Sequence, residues 1–378
     1  MIGVAYGTTG ELIKLSPILT RLNAIGSPAL TLCTGQQVEQ IPTLLDDFGL
    51  PQPDIWLSRR EGGRDLERPM DLIPWASRIL TVFARHRQML RERMEPITSK
   101  PLLLVHGDTL TTVLGSLMGH TLRVPVAHIE AGLRSGNWRN PFPEELNRRA
   151  VARLARIHFA PGLCAAENLR TMKVKGEIVD TTVNTMYDAL DLVQPGAHDV
   201  ELPSKPFGLV SLHRFELLGK PRTLQAILEL LHETSRSTPI LFVDHPVTMA
   251  AIATNDLDSL FDEHFRRIPR QRYFHFIALL RASTFLVTDS GGSQEECARL
   301  GHPCLVHRAA TERDDGLNGP VVLSRMDLGV VQAFLRDPMA YAHPAADHQQ
   351  SATSVIVDHL RTHGYIEAPT RSPLVCPI

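Results

Sequence analysis

The sequence is short of several things, and each shortage narrows what the chain can be. It has five cysteines (Cys33, Cys164, Cys297, Cys304 and Cys376), an odd number with no C-x-x-C pair. That argues against a disulfide framework and against a Cys/His-spaced metal site, and fits reduced thiols in a cytoplasmic protein. Neither charge sign is in excess, with 39 Lys+Arg against 41 Asp+Glu, so no partnership with nucleic acid or an anionic membrane surface is expected. No apolar run approaches the roughly 18 residues of a membrane span. The start, MIGVAYG, has neither a basic n-region nor a signal-like apolar segment. G-x-S-x-G, a Cys/His nucleophile pair and H-E-x-x-H are all missing, so acyl-hydrolase and zincin chemistry lack their parts. No G-x-G-x-x-G follows the first apolar run and there is no Walker loop, which disfavours NAD and P-loop chemistry. No repeat of solenoid length is visible.

What is present is an alternation of short apolar runs with longer helical patterns. IGVAYG (2–7), SPALTLCT (27–34), LLLV (102–105), VPVAHI (124–129) and RIHFA (156–160) read as strands. Between them lie helical patterns such as ELIKLSPILTRLNAI and the amphipathic stretch 71–94. The pattern restarts with FGLVSLH (207–213), ILFVDH (240–245), FLVTD (285–289) and PCLVHR (303–308). Such alternation predicts right-handed βαβ units and parallel sheets covered on both faces. At 378 residues the chain exceeds what one core usually serves. The expected fold is therefore α/β, with two doubly wound domains in tandem and a cleft between them. We place the first domain at 1–190 and the second at 191–350, with a polar, Pro-containing linker near 193–206. The helical pattern 351–366 returns to the first domain, and 367–378 is a tail. Residues 58–71, charged and Gly-containing, read as a loop.

Ligands of open parallel sheets bind beyond the carboxyl ends of the strands. In this sequence the apolar runs deliver His106-Gly107-Asp108-Thr109, Glu130, His213-Arg214, His245 and Asp289-Ser290-Gly291-Gly292 to that edge. Five such deliveries point to a site. Glu130 opens the stretch HIEAGLRSGNWRNPFPEELNRR (128–149), in which N-P-F-P starts a helix and Glu144 and Glu145 fall in its first turn. Glu144 and Arg148 are four apart, so an ordinary i,i+4 ion pair is the plainest reading of that pair. In TDSGGSQEECARLGHP (288–303) a strand runs through Ser-Gly-Gly into a helix, a layout suited to a nucleotide diphosphate. Glu296 there suits ribose hydroxyls or, equally, the helix dipole. Arg313 in TERDDG (311–316) suits a phosphate, and Phe276 suits a base or a core.

With those motifs assembled, the chain resembles the non-hydrolysing UDP-N-acetylglucosamine 2-epimerase family from about residue 3 to residue 365. HGDTLTT (106–112), HIEAGLRSG with PFPEELNRR, VNTMYDAL (183–190), and TDSGGSQEE with TER carry the resemblance. It implies two Rossmann-like domains facing a cleft (the GT-B arrangement), a homodimer, and interconversion of UDP-GlcNAc and UDP-ManNAc through a 2-acetamidoglucal, with no nicotinamide or metal. It also implies Asp108, Glu130, Glu144 and His213 as catalytic groups. Lys14 and Arg148 would meet substrate or diphosphate, Ser290, Gly291, Gly292, Glu296 and Arg313 the phosphates and ribose, and Gln271 and Phe276 the uracil. The departures from the family pattern are specific. Its G-T-R-P-E loop stands here as GTTGE (7–11), its T-G-Q-H as TGQQ (34–37), its H-R-R-E-N as HRFEL (213–217) and its H-x-N-P as HPVT (245–248). They leave open a related UDP-sugar, lost allosteric activation, or a UDP-sugar binder without turnover. A hydrolysing epimerase sharing the fold is a further alternative.

Overall fold

The computed structural model describes residues 1–58, 71–95, 99–135, 143–193, 202–346 and 350–366. The expected loop 58–71, most of the linker 193–206 and the tail 367–378 lie largely or wholly outside the described residues. Two compact units emerge: Met1–Leu192 with Gln350–Ile378, and Val193–Gln349.

The first unit holds a seven-stranded sheet. Its strands are β1 (Ile2–Tyr6), β2 (Leu30–Cys33), β3 (Ile55–Trp56), β4 (Leu102–His106), β5 (Val126–Ile129), β6 (Ile157–Ala160) and β7 (Glu177–Asp180), in the order β3-β2-β1-β4-β5-β6-β7. The second unit holds β8 (Gly208–Ser211), β9 (Ile240–Val243), β10 (Phe265–Ile268), β11 (Phe285–Thr288), β12 (Cys304–Val306) and β13 (Val321–Leu323), in the order β10-β9-β8-β11-β12-β13. Every pairing of these strands is parallel, for example Val4 with Thr31 and with Leu104. The α/β class read from the sequence is the class observed.

The physical reason is burial. β1, β2, β4, β5, β6, β8, β9, β11 and β12 are buried along their whole length, as parallel strands sandwiched between helices must be. The strands not anticipated are β3, β7, β10 and β13. They have two to four residues, lie at the sheet edges and are partly exposed, so β7 and β10 carry charged residues while β3 and β13 are apolar runs too short to stand out.

The helices start where local chemistry allows. Thr8 caps Thr9–Ala24 through a capping box with Glu11. Helix Leu72–Met94 buries Trp75, Ile79, Phe83, Leu90 and Met94 on one stripe, with the other residues partly or fully exposed. The late helix Ala352–Thr362 packs on Thr9–Ala24 and Thr185–Leu192, where the Thr353 N–H donates to Asp188 Oδ2 at 2.7 Å. Among the described residues, no helix is long and apolar enough to cross a membrane.

Candidate active site

In each sheet the strand order reverses once, and the loops that leave the carboxyl ends on either side of that point form a crevice. In the first unit the reversal lies between β1 and β4. The loop after β1 and the loop after β4 are joined there by Glu11. Its Oε2 accepts the backbone N–H groups of Gly7 (2.7 Å) and Thr8 (2.9 Å), and its Oε1 accepts the Thr109 hydroxyl (2.5 Å). Burial pushes the Glu11 carboxyl up to about 7, against the opposing pull of those hydrogen bonds.

Glu130, directly after β5, takes a left-handed backbone (φ 63°), unusual for a residue with a side chain and of the kind found at functional sites. Its buried carboxylate receives the Lys14 ammonium and the Asn184 side-chain amide on Oε2, with His106 Nε2 4.0 Å away. Next to β5's end, the buried His128 stays neutral, pushed down to about 3 mainly by desolvation. Its Nε2–H donates to the Gly107 carbonyl at 2.7 Å and so braces the turn that presents Asp108.

Asp108 is held from helix Glu144–Leu154. Arg148 Nη2 meets Asp108 Oδ2 at 2.5 Å, and Asn147 Nδ2 donates to the Asp108 carbonyl at 2.8 Å. Here the structure corrects one expectation: Arg148 pairs with Glu145, at 3.5 Å, not with Glu144. Glu145 lies one residue nearer the buried stripe of the helix, with a fully buried side chain, and it also takes Arg149 Nε at 3.1 Å and faces Arg134 Nε at 3.8 Å. Glu144 is only half-buried, and its buried Oε2 has no hydrogen-bond partner among the described residues. Two adjacent glutamates in one first turn therefore have different surroundings. One is locked among arginines; the other holds an acceptor atom in reserve.

Lys14, Asp108, Glu130 and Arg148 thus gather in the first unit's loop cluster, with Glu144 on the same helix turn as Arg148. Thr9, at the position of the family's first-loop arginine, uses its N–H (2.8 Å) and hydroxyl (2.9 Å) on the Oε1 of Gln37, itself a departure from the family pattern.

The second unit repeats the logic at its own reversal, between β8 and β11. Asp289, at the end of β11, is buried. Its carboxylate accepts the backbone N–H groups of His213 (2.9 Å) and Arg214 (2.8 Å), tying the β8 loop to the β11 loop. Burial raises the Asp289 carboxyl above its ordinary value, with those N–H bonds acting against it. The His213 ring keeps about a third of its side-chain surface open, at 34%, while its Nδ1 is buried 3.4 Å from Asp289 Oδ1. Desolvation, then the nearby Arg214 and Arg270 cations, push His213 down to about 4, so its imidazole is neutral at pH 7. His245 lies against it, ring centres 4.6 Å apart. Phe215, which follows Arg214, points into solvent.

Ser290 caps helix Gly291–Leu300, its Oγ accepting the Ser293 N–H. A side-chain carbon on Gly291 would sit 2.6 Å from Arg313 Nη1, so glycine is what lets the guanidinium lie against the start of the helix. Arg313 is aimed by Glu295 (3.1 Å) and Glu312 (2.6 Å). Gln294 holds the same loop by donating to the carbonyls of Arg313 and Asp315. Gly292 is half-buried in the helix's first turn, and Glu296 is buried and hydrogen-bonded to Tyr273. The structure thus brings Ser290, Gly291, Gly292, Glu296 and Arg313 to one helix start and its facing loop. Gln271 lies just before helix Tyr273–Ala282 and the half-buried Phe276 lies on it, and Gln271 Nε2 donates to the Pro269 carbonyl. Asn147, His128, Gln294 and Glu295 were not singled out from sequence, since their partners lie far along the chain. Asn184, inside VNTMYDAL, was signalled only by its motif.

Two doubly wound parallel sheets, each with a polar loop cluster at its reversal point, define a tandem Rossmann-like protein. The family model described as UDP-N-acetylglucosamine 2-epimerase matches residues 27–333. A UDP-N-acetylglucosamine 2-epimerase of Yersinia pestis is 33% identical over 368 residues, covering 91% of this chain and 92% of the relative. Among solved structures, the S. aureus MnaA–UDP complex is similar with a TM-score of 0.78 at 26% identity, covering 97% of each chain. The Neisseria meningitidis UDP-GlcNAc 2-epimerase bound to UDP-GlcNAc gives a TM-score of 0.76 at 27% identity, covering 95% of this chain and 98% of that one. The chain belongs to the UDP-N-acetylglucosamine 2-epimerase family.

Proposed function

We propose that the protein is a non-hydrolysing epimerase that interconverts UDP-GlcNAc and UDP-ManNAc, acting as a cytoplasmic homodimer. The first unit's carboxylates handle the sugar and the second unit's loop cluster handles the nucleotide. A base takes the C2 proton, and the C2–H electron pair becomes the C1=C2 bond of 2-acetamidoglucal. The C1–O bond breaks and its electrons leave with UDP. Protonation of C2 on the opposite face, with UDP oxygen re-adding at C1, gives the epimer. The two C2 faces require two acid/base groups, and Asp108, Glu130 and Glu144 provide them. The observation that carries the reading is the set of carboxylates around Arg148 and Lys14: Glu130 and Asp108 each have a fixed cation, while Glu144 retains an acceptor atom without a partner among the described residues.

Leaving-group charge is met by Arg313 and the free N–H groups at the start of helix Gly291–Leu300. Neutral His213 serves as a hydrogen-bond donor or proton carrier at the diphosphate, since its low pKa keeps it uncharged at pH 7. Glu296 and the Gln271–Phe276 segment take ribose and uracil. The UDP and UDP-GlcNAc bound in the related structures support the ligand class.

The test is product analysis by anion exchange after incubation with UDP-GlcNAc. The proposal expects UDP-ManNAc, with nucleotide and sugar still joined. Free ManNAc with UDP would assign the hydrolysing reaction instead. A second reading, a related UDP-sugar as substrate, is favoured by the Thr9–Gln37 contact, which replaces a cation of the family's first loop with a neutral pair. It expects little turnover of UDP-GlcNAc and faster turnover of another UDP-sugar.

A further inference from the structure

The helix Ala352–Thr362 and its C-cap carry two histidines one turn apart, His359 and His363, and both face Glu177 at the start of the edge strand β7. His359 Nε2 lies 3.5 Å from Glu177 Oε2, and His363 Nε2 lies 3.9 Å from Glu177 Oε1. The three potential ligand atoms all fall within 4.8 Å of one another. Donors bound to one tetrahedral zinc at about 2.0–2.1 Å stand roughly 3.4 Å apart, so only a small contraction separates this cluster from a coordination sphere.

Three further observations separate it from a surface ion pair. His363 Nδ1 sits 2.9 Å from the His359 carbonyl, which can only accept, so Nδ1 carries the proton and the Nε2 lone pair is the one turned toward Glu177. His359 Nε2 is buried and has no hydrogen-bond partner among the described residues, a state a bound ion would relieve. The two rings stack with centres 4.0 Å apart at 26°, an arrangement that two imidazolium cations would oppose. Phe159 closes one side of His359 edge-on at 5.4 Å.

We propose that Glu177, His359 and His363 form a three-ligand site for a divalent transition metal of the zinc class, with water in the remaining position. Imidazole and carboxylate ligands in this number suit zinc and its neighbours rather than calcium or magnesium. Glu177 begins β7, whereas the candidate active-site loops leave the carboxyl ends of the strands. The ion would therefore lie apart from those loops, tying the C-terminal helix to the sheet edge of the first unit. The site stands independently of the proposed reaction.

The test uses the full-length protein, treated with chelator and then titrated with Zn²⁺ against a chromophoric competitor. His363→Ala and Glu177→Gln are run beside it, both changes being at exposed side chains. The proposal expects one saturable equivalent per chain, affinity at least tenfold weaker in each variant, and a zinc-induced rise in Tm that His363→Ala abolishes. Absence of one-equivalent binding in the unaltered protein would overturn it. So would equal binding in both variants, which would place the zinc on other histidines.

Discussion

The N–H and hydroxyl of Thr9 both donate to the Oε1 of Gln37, at 2.8 and 2.9 Å. Both positions depart from the family's pattern, where the first is an arginine and the second a histidine. The two departures therefore form one contact, and they are expected to be coupled. In a double-mutant cycle, Thr9→Val and Gln37→Leu should show a coupling of about 1 kcal/mol in urea unfolding, the usual worth of one hydroxyl hydrogen bond. Strict additivity would mean that the hydroxyl makes no such bond in solution.

The neighbouring glutamates at the start of helix Glu144–Leu154 should behave in opposite ways. Glu145 is fully buried and faces Arg148, Arg149 and Arg134, so Glu145→Ala leaves Arg148 with Asp108 and takes the buried carboxylate away from Arg134 and Arg149. We expect it to lose about 3–5 kcal/mol of stability. Glu144→Gln keeps the shape and removes an acceptor that has no partner among the described residues, so its Tm should stay near that of the unaltered protein. Its kcat should fall at least hundredfold, the usual scale for a lost acid/base group. Circular-dichroism melts and steady-state kinetics on the two variants check both halves.

Glu11 makes stability depend on pH. Burial lifts its carboxyl from 4.5 to about 7 in the folded chain. A raised folded value means its stabilising contribution is complete below pH 4.5 and is lost as pH climbs through 7. Glu11→Gln cannot ionise, so its stability relative to the unaltered protein should rise by about 3 kcal/mol between pH 4.5 and pH 8. Chemical unfolding at both pH values measures the difference. A constant offset would mean that the hydrogen bonds from Gly7, Thr8 and Thr109 hold the carboxyl near its ordinary value.

Gly291→Ala places a methyl carbon 2.6 Å from Arg313 Nη1. The guanidinium can move, but only by leaving Glu295 and Glu312. Folding should be little affected, while UDP binding weakens about tenfold, one charge-assisted contact's worth. Isothermal titration with UDP reads this directly.

Much of the fold is legible in the sequence because buried parallel strands must be continuously apolar. LLLV, FLVT and ILFV announce themselves in this way. β7, with the sequence Glu177-Ile178-Val179-Asp180, does not, since an edge strand exposed at one end needs no such run. The candidate site is legible where chemistry follows a strand directly, as at Asp108, Glu130 and Asp289. It is not legible where the partner is distant. Lys14 and Glu130 are separated by 116 positions and Asn184 and Glu130 by 54, and no local pattern pairs them. Helical spacing also left two glutamates for Arg148. It chose Glu144, whereas burial of the helix stripe decides for Glu145.

The most direct test of the central claim is a proton NMR time course of the purified protein with UDP-GlcNAc in D2O. The account predicts a new UDP-ManNAc anomeric signal, with deuterium entering C2 of the nucleotide-linked sugar, and loss of both in Glu144→Gln. Epimerisation with the C2 proton fully retained would contradict the elimination route, and release of free ManNAc and UDP would contradict the non-hydrolysing assignment.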